Sequence, residues 1–181
     1  MRKFKIFLDD AKEEQWINDM ANEGWYFQSF HFPFYTFTKG EPGEPGEYEY
    51  RTEMLEGFGY GKAANEYLDF VKSTGVEVVQ KRFNWVYFRQ HKSKGDFELY
   101  SDPVSKLSYI NRIYTLYGTW AVLNLVFAIF NGAATLLDNS FQFNSFIAGL
   151  NTGVFIALIY PLAKTVYRKR NLKREIALYE N

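Results

Sequence analysis

Residues 113–163 read IYTLYGTWAVLNLVFAIFNGAATLLDNSFQFNSFIAGLNTGVFIALIYPLA, and Asp138 is the one charged side chain among them. The stretch divides at Leu137-Asp138-Asn139-Ser140, a short polar turn, into two apolar runs. The first, about Ile113 to Leu137, holds 25 uncharged residues. As a helix it would extend about 38 Å, against about 30 Å for the hydrocarbon core of a bilayer. The second, about Phe141 to Ala163, is of similar length. We read the stretch as a two-helix transmembrane hairpin, antiparallel because its loop is so short. The competing reading is a pair of buried helices in a soluble protein. Helices apolar all round need protein on every side, and a chain of 181 residues has little left to supply it.

Charge sets the expected orientation. Lys164, Arg168, Lys169, Arg170, Lys173 and Arg174 follow the second run, Lys106 and Arg112 precede the first, and the turn between has no Lys or Arg. The positive-inside rule then places both termini in the cytoplasm of a multi-pass protein of the cell membrane. Tyr109, Tyr114, Tyr117, Trp120, Tyr160 and Tyr167 gather toward that end, as interfacial aromatics do. Gly149, Gly153 and Ala157 recur every four residues on the second span, and Ala128 and Gly132 on the first. Such small-residue faces let backbones approach, so the spans are expected to pack on each other through them. Asn124 and Asn131 share one face of the first span and Asn151 lies in the second. They are expected to bond across the helices rather than to line a polar path, because two spans alone make no pore.

The formal net charge is zero, but residues 1–108 hold 14 Lys and Arg against 18 Asp and Glu, and residues 109–181 hold 7 against 3. A net-acidic globular part argues against nucleic acid, whose binders concentrate basic surface. The basic tail suits anionic lipid at the inner leaflet. There is no cysteine, which excludes disulfides, thiolate metal sites and Cys nucleophiles. Phe4-Lys5-Ile6-Phe7-Leu8 is too short and too charged to be expected to act as a signal core.

Ahead of the hairpin the chain reads as α+β. Lys3 to Leu8 is a short strand. Asp10 opens a helix with Glu13 three residues on, an acidic capping box, and Gly24 closes it in the C′ position. Trp25 to Phe37 is an aromatic strand with Pro33 marking an edge or bulge. Lys39 to Gly46, with two Pro-Gly pairs, is a loop. In the next strand Tyr48, Tyr50, Thr52 and Met54 alternate with Glu47, Glu49, Arg51 and Glu53, which predicts one buried face and one solvated face. A second helix runs from Lys62 to Ser73, a long strand from Val76 to Arg89, and a short one over Phe97 to Tyr100. The order β-α-β-β-α-β plus one strand predicts a ferredoxin-like antiparallel sheet with two helices on one face. Asn22-Glu23-Gly24-Trp25 and Ser73-Thr74-Gly75-Val76 suggest a weak internal duplication. The domains expected are 1–105 globular, 106–167 the hairpin with spans at about 113–137 and 141–163, and 168–181 a basic cytoplasmic tail.

Four blocks carry a resemblance: Trp16-Ile17-Asn18-Asp19-Met20-Ala21-Asn22-Glu23-Gly24-Trp25, Tyr48-Glu49-Tyr50-Arg51, Tyr87-Phe88-Arg89 and Glu98-Leu99-Tyr100-Ser101-Asp102. They resemble the bacterial family catalogued as domain of unknown function 2812, over roughly Phe4 to Lys106, with the last block its most specific part. The resemblance implies a C-terminal hairpin of spans and, in many members, a gene beside a PadR-type repressor. It implies no activity and no catalytic residue. Where members often carry Trp after the second helix's glycine, this chain has Val76.

No catalytic, cofactor or metal motif stands out. Gly57-Phe58-Gly59-Tyr60-Gly61 is similar to a potassium filter but lies outside the membrane run, and to a glycine-aromatic RNA motif but precedes a helix instead of lying on a central strand. It is expected to be a flexible connection. His31 and His91 are sixty residues apart and lack nucleophile or ligand partners. Glu47, Glu49 and Glu53 share one strand face, expected to be solvated rather than a cation site. Aromatics make up 20% of the chain, more than one sheet face can cover. An open face bearing Phe30, Phe32, Phe34, Phe83, Trp85 and Tyr87 is therefore the expected interaction surface; the alternative is a spare face against lipid headgroups. The expected function is a membrane-anchored cytoplasmic interaction or sensory module, not an enzyme, with the bilayer, a protein partner or self-association as partners. The alternative is an accessory subunit of a transporter or antimicrobial-resistance system, docking through the small-residue helix faces.

Overall fold

The structure, a computed structural model, describes residues 1–40, 46–57, 59–100, 102–137 and 141–179. Most of the Pro-Gly loop, Phe58, Ser101, the Asp138-Asn139-Ser140 turn and the last two residues lie outside the described residues. The chain divides into two compact units, Met1–Ser101 and Asp102–Asn181.

The first unit is α+β. It runs β1 (Arg2–Phe4), α1 (Asp10–Asn22), β2 (Trp25–His31), β3 (Phe34–Lys39), β4 (Tyr48–Met54), α2 (Lys62–Ser73), β5 (Glu77–Arg82) and β6 (Trp85–His91). The strands form two three-stranded antiparallel sheets, β1-β3-β2 and β4-β6-β5. The expected single ferredoxin-like sheet is thus divided in two. Each long aromatic strand is a hairpin, because His31 pairs with Phe34 and Arg82 with Trp85 across two-residue loops. Residues 97–100, expected to be a strand, form none and join no sheet.

The two halves are one β-α-β-β unit used twice. In each, the third strand lies between the other two. Gly24 and Gly75 close the helices at φ 84° and 85°, the second strands bulge after Phe27 and Val78, and the hairpin loops open with Phe32 and Phe83. Each pair is 51 residues apart, which places the suggested duplication on a constant offset.

Packing follows from α1. Asp9 caps it by accepting from the Ala11 N–H at 3.2 Å, so Glu13 takes no part in a capping box and turns inward instead. Ile17, Met20 and Ala21 pack on Phe27, Tyr35 and Phe37 of the first sheet and on Tyr50 and Tyr87 of the second. The opposite face of β6, Val86 and Phe88, packs with Leu68 and Val71 of α2 and with Phe97. Both faces of β6 are therefore covered. The outer edge of β4 is closed by α1: the Asn18 amide donates to the Tyr50 carbonyl and accepts from the Tyr50 N–H, and Glu14 accepts from the Thr52 N–H.

Between the sheets a side chain replaces the ladder. Gln80 accepts from the Phe30 N–H at 2.6 Å and donates to the Phe30 carbonyl at 3.2 Å. Replacing Gln80 with alanine leaves a half-buried N–H without its acceptor. It should cost about 1–2 kcal/mol, read as a lower thermal midpoint of the detergent-solubilised protein with tryptophan fluorescence as the probe.

The second unit is two antiparallel helices, α3 (Pro103–Leu137) and α4 (Phe141–Tyr179). Both are long and apolar enough to cross a membrane. They extend well past the expected spans, so the basic tail is the last part of α4 rather than a separate segment. Thr135 and Ser145 hydroxyls meet near one end, and Lys169 lies over the Tyr114 ring near the other. The asparagines do not bond across the pair. Asn124, Asn131 and Asn151 each donate at 2.8 Å to the carbonyl four residues earlier in their own helix. The small faces do not mediate the contact either: an added Cβ would meet nothing within 4 Å at Gly132, Gly149 or Gly153. Ala157 is exposed and Ala128 half-buried.

Candidate functional site

The six aromatics expected on one open face are distributed differently. Tyr87 is 5% exposed, within the core shared by the two sheets, because α1 and the first sheet cover that side of β6. Phe30 is half-buried and stacks on Tyr35 at 4.4 Å, and Trp85 is half-buried. Phe34 is at the margin, 5.7 Å from the Phe4 ring with the Arg2 guanidinium above it. Phe32 and Phe83 are each 65% exposed. Beyond Phe34 the outer face of β3 continues into Thr36 and Thr38.

The exposed aromatics lie instead at one end of the strands. Phe4 ends β1 opposite Phe34, and the Lys5 N–H donates to the Pro33 carbonyl beside the β2–β3 loop. Phe30 and Gln80 hold the ends of β2 and β5 together, so the Phe32 and Phe83 loops emerge side by side. The Leu55 N–H, just past β4, donates to the Asn84 carbonyl at 2.6 Å. Gly59, at φ 72°, lies so close to Phe83 and Asn84 that a Cβ would collide with their backbone. The connection is thus fixed at Gly59 against the β5–β6 turn rather than simply flexible. It presents Tyr60, 69% exposed, with Lys81 above its ring. Phe4, Phe32, Tyr60 and Phe83 therefore share one end.

Phe83 sits at φ 53°, a conformation costing a side-chain-bearing residue about 1–2 kcal/mol. The first position of a two-residue hairpin loop ordinarily takes Gly, Asn or Asp. The signal was present in the sequence: a phenylalanine next to a turn residue, in Phe32-Pro33 and again in Phe83-Asn84.

Charge gathers at the same end. Residues 2–8, 31–34, 55–62 and 81–85 hold six Lys and Arg and one acid, Glu56. The globular part as a whole is net acidic.

The remaining sequence candidates serve the fold. Glu53 is 2% exposed and accepts from the Tyr67 and Tyr100 hydroxyls, so it is not on a solvated face; α2 and the 97–100 segment cover it. Glu49 pairs with Arg51 at 2.5 Å. Glu47 lies 3.8 Å from the His91 ring, whose Nδ1 meets Ser93. His31 is exposed at the aromatic end, next to Phe32. Among the described residues no three His, Cys, Asp or Glu are grouped to hold a metal ion. Glu13, missed as a buried group, accepts from Tyr35 at 2.9 Å and Tyr87 at 2.6 Å. Burial raises its carboxyl above the ordinary range, and the two phenol bonds only partly offset this.

A family model described as "Protein of unknown function (DUF2812)" matches residues 9–122, well over half the chain. The chain belongs to this family. No curated protein and no solved structure matches it. The DUF2812 match begins at the cap of α1 and runs into α3, past the expected limit at Lys106. In this DUF2812 member the Glu98-Leu99-Tyr100-Ser101-Asp102 block has a structural use. Leu99 packs on the second core, Tyr100 binds Glu53, and Asp102 accepts from the Ser105 N–H at the start of α3. The Ser105 hydroxyl, and after it that N–H bond, hold the Asp102 carboxyl below its usual range.

Proposed function

We propose that the chain is a membrane-anchored interaction or sensory module, whose globular unit works by contact and not by catalysis. The reading has two spans in the cell membrane and both termini in the cytoplasm. Its support is the outward surface of the hairpin, where Phe127, Phe130, Phe146 and Ile156 are exposed. A soluble protein would bury such side chains. The Lys and Arg beyond residue 163 supply the orientation.

The observation that carries the contact role is the strand end where four aromatic rings are about two-thirds exposed. A photo-crosslinking amino acid placed at position 83 in living cells should give an adduct, to lipid or to protein. The same group at position 70, an exposed phenylalanine on α2, should give none. Equal yields at both positions would sink the reading.

A second reading, an accessory subunit of a transporter or antimicrobial-resistance system, is favoured by the open space over Gly149 and Gly153. Outward small residues at this spacing suit association with another span. Replacing both glycines with leucine should abolish co-purification of a membrane partner in mild detergent; unchanged recovery removes this reading.

A further inference from the structure

We infer that the aromatic end of the globular unit docks onto the anionic headgroups of the bilayer that holds the hairpin. This rests on the contact reading above and names the occupant. Three observations point to it.

The first is chemistry. Phe4, Phe32, Tyr60 and Phe83 project from loops and a strand end. Aromatic rings settle at the boundary between headgroups and acyl chains, where one side is apolar and the other wet. Separate rings on short loops can enter that layer without forming a continuous hydrophobic face. Phe70, also exposed, stands away from them on α2.

The second is charge. Residues 2–8, 31–34, 55–62 and 81–85 carry six basic residues and one acid, and the next two acids, Asp9 and Asp10 at the start of α1, are buried, within a part of the chain that is acidic overall. Such segregation suits a negative surface, and an inner leaflet supplies one. Lys81 and Arg82 adjoin Phe83 directly, so cation and ring would reach the surface together.

The third is cost. Both repeats place a phenylalanine first in a two-residue hairpin loop, and both rings are 65% exposed. Phe83 also holds a positive φ. Neither exposure nor that backbone angle helps the fold, so a use outside the fold accounts for them. The spans keep the bilayer at high effective concentration, so individually weak contacts suffice.

The test uses the full-length protein in nanodiscs of phosphatidylcholine, with or without phosphatidylglycerol. The chain has no cysteine of its own, so Phe32→Cys, Phe83→Cys and Glu23→Cys each carry one fluorophore; Glu23 lies at the opposite end of the strands. Labels at 32 and 83 should be quenched by doxyl lipids, more strongly with phosphatidylglycerol, and the label at 23 should not. Replacing Lys81 and Arg82 with glutamine should lower the docked-to-free ratio read at position 32 by about fivefold for each residue. Phe83→Gly should lower docking yet leave the thermal midpoint unchanged or raised, because glycine accepts the positive φ. A purely structural role for Phe83 would lower both.

Equal lipid quenching at all three positions, or quenching indifferent to phosphatidylglycerol, overturns the proposal. Labels shielded from a water-soluble quencher without lipid quenching would mean a protein occupant. That result sinks lipid docking and leaves the contact reading standing. Labels fully open to water in both discs sink both.

Discussion

Replacing Glu13 with alanine should destabilise the globular unit by about 2–5 kcal/mol. Its carboxylate is the acceptor for two phenols that come from different sheets, Tyr35 at 1% and Tyr87 at 5% exposure. Each buried donor left without a partner costs about 1–3 kcal/mol. Glutamine keeps an acceptor oxygen at the same place and removes the charge that burial penalises, so Glu13→Gln should be near neutral or stabilising. The pH dependence follows from the raised carboxyl. A proton binds the folded unit at a higher pH than it binds the unfolded chain. Stability therefore rises as the pH falls from neutral through the folded pKa, and the gain is complete near the ordinary value of 4.5. Burial also raises Glu14, against the opposing pull of Thr52 and Arg51, and this adds in the same direction. Asp102, held low, acts oppositely, losing stability as the pH falls through its depressed pKa. Thermal midpoints between pH 7 and 4.5 should climb in the natural protein and climb less in Glu13→Gln. A flat profile shared by both would show that Glu13 does not sense its burial.

The second large effect is expected at Glu53. It is 2% exposed and holds Tyr67 of α2 and Tyr100 of the 97–100 segment by their hydroxyls. Alanine there strands two phenols and leaves a cavity, a loss of about 3–5 kcal/mol. The loss should be local before it is global. Tyr100 would leave its site first, since the 97–100 segment has no ladder bonds to fall back on. Trypsin should then cut faster after Lys94 or Lys106 in Glu53→Ala, at temperatures where the rest of the chain is intact. Glutamine offers one acceptor and one donor to the two hydroxyls and should retain most of the protection. If cleavage and unfolding are both unchanged in the alanine variant, the Glu53 contacts contribute nothing. The same pairing accounts for the Tyr in the Glu-Leu-Tyr-Ser-Asp block: it ties the chain ahead of α3 to β4.

What the amino-acid sequence determined by itself is whatever depends on neighbours along the chain. Two uncharged runs of spanning length define α3 and α4, helical spacing and closing glycines define α1 and α2, and alternation defines β4. The four family blocks were likewise readable. Tertiary structure alone decided which surfaces meet. Periodicity marks a face as apolar but does not say how many layers will cover it, and β6 is covered on both sides by elements far from it in sequence. The breaks at Phe32-Pro33 and Phe83-Asn84 were passed over because each phenylalanine reads as part of an aromatic strand, although a turn residue stands next to it. Glu13 looked like a capping residue and Glu53 looked solvated because their tyrosine partners lie 14 to 74 residues away. The asparagines and glycines of the hairpin suggested contact between its helices. The amides found a carbonyl in their own helix, and the glycines face outward, because side-chain type sets what a helix face can do and only the partner's position settles whether it does so.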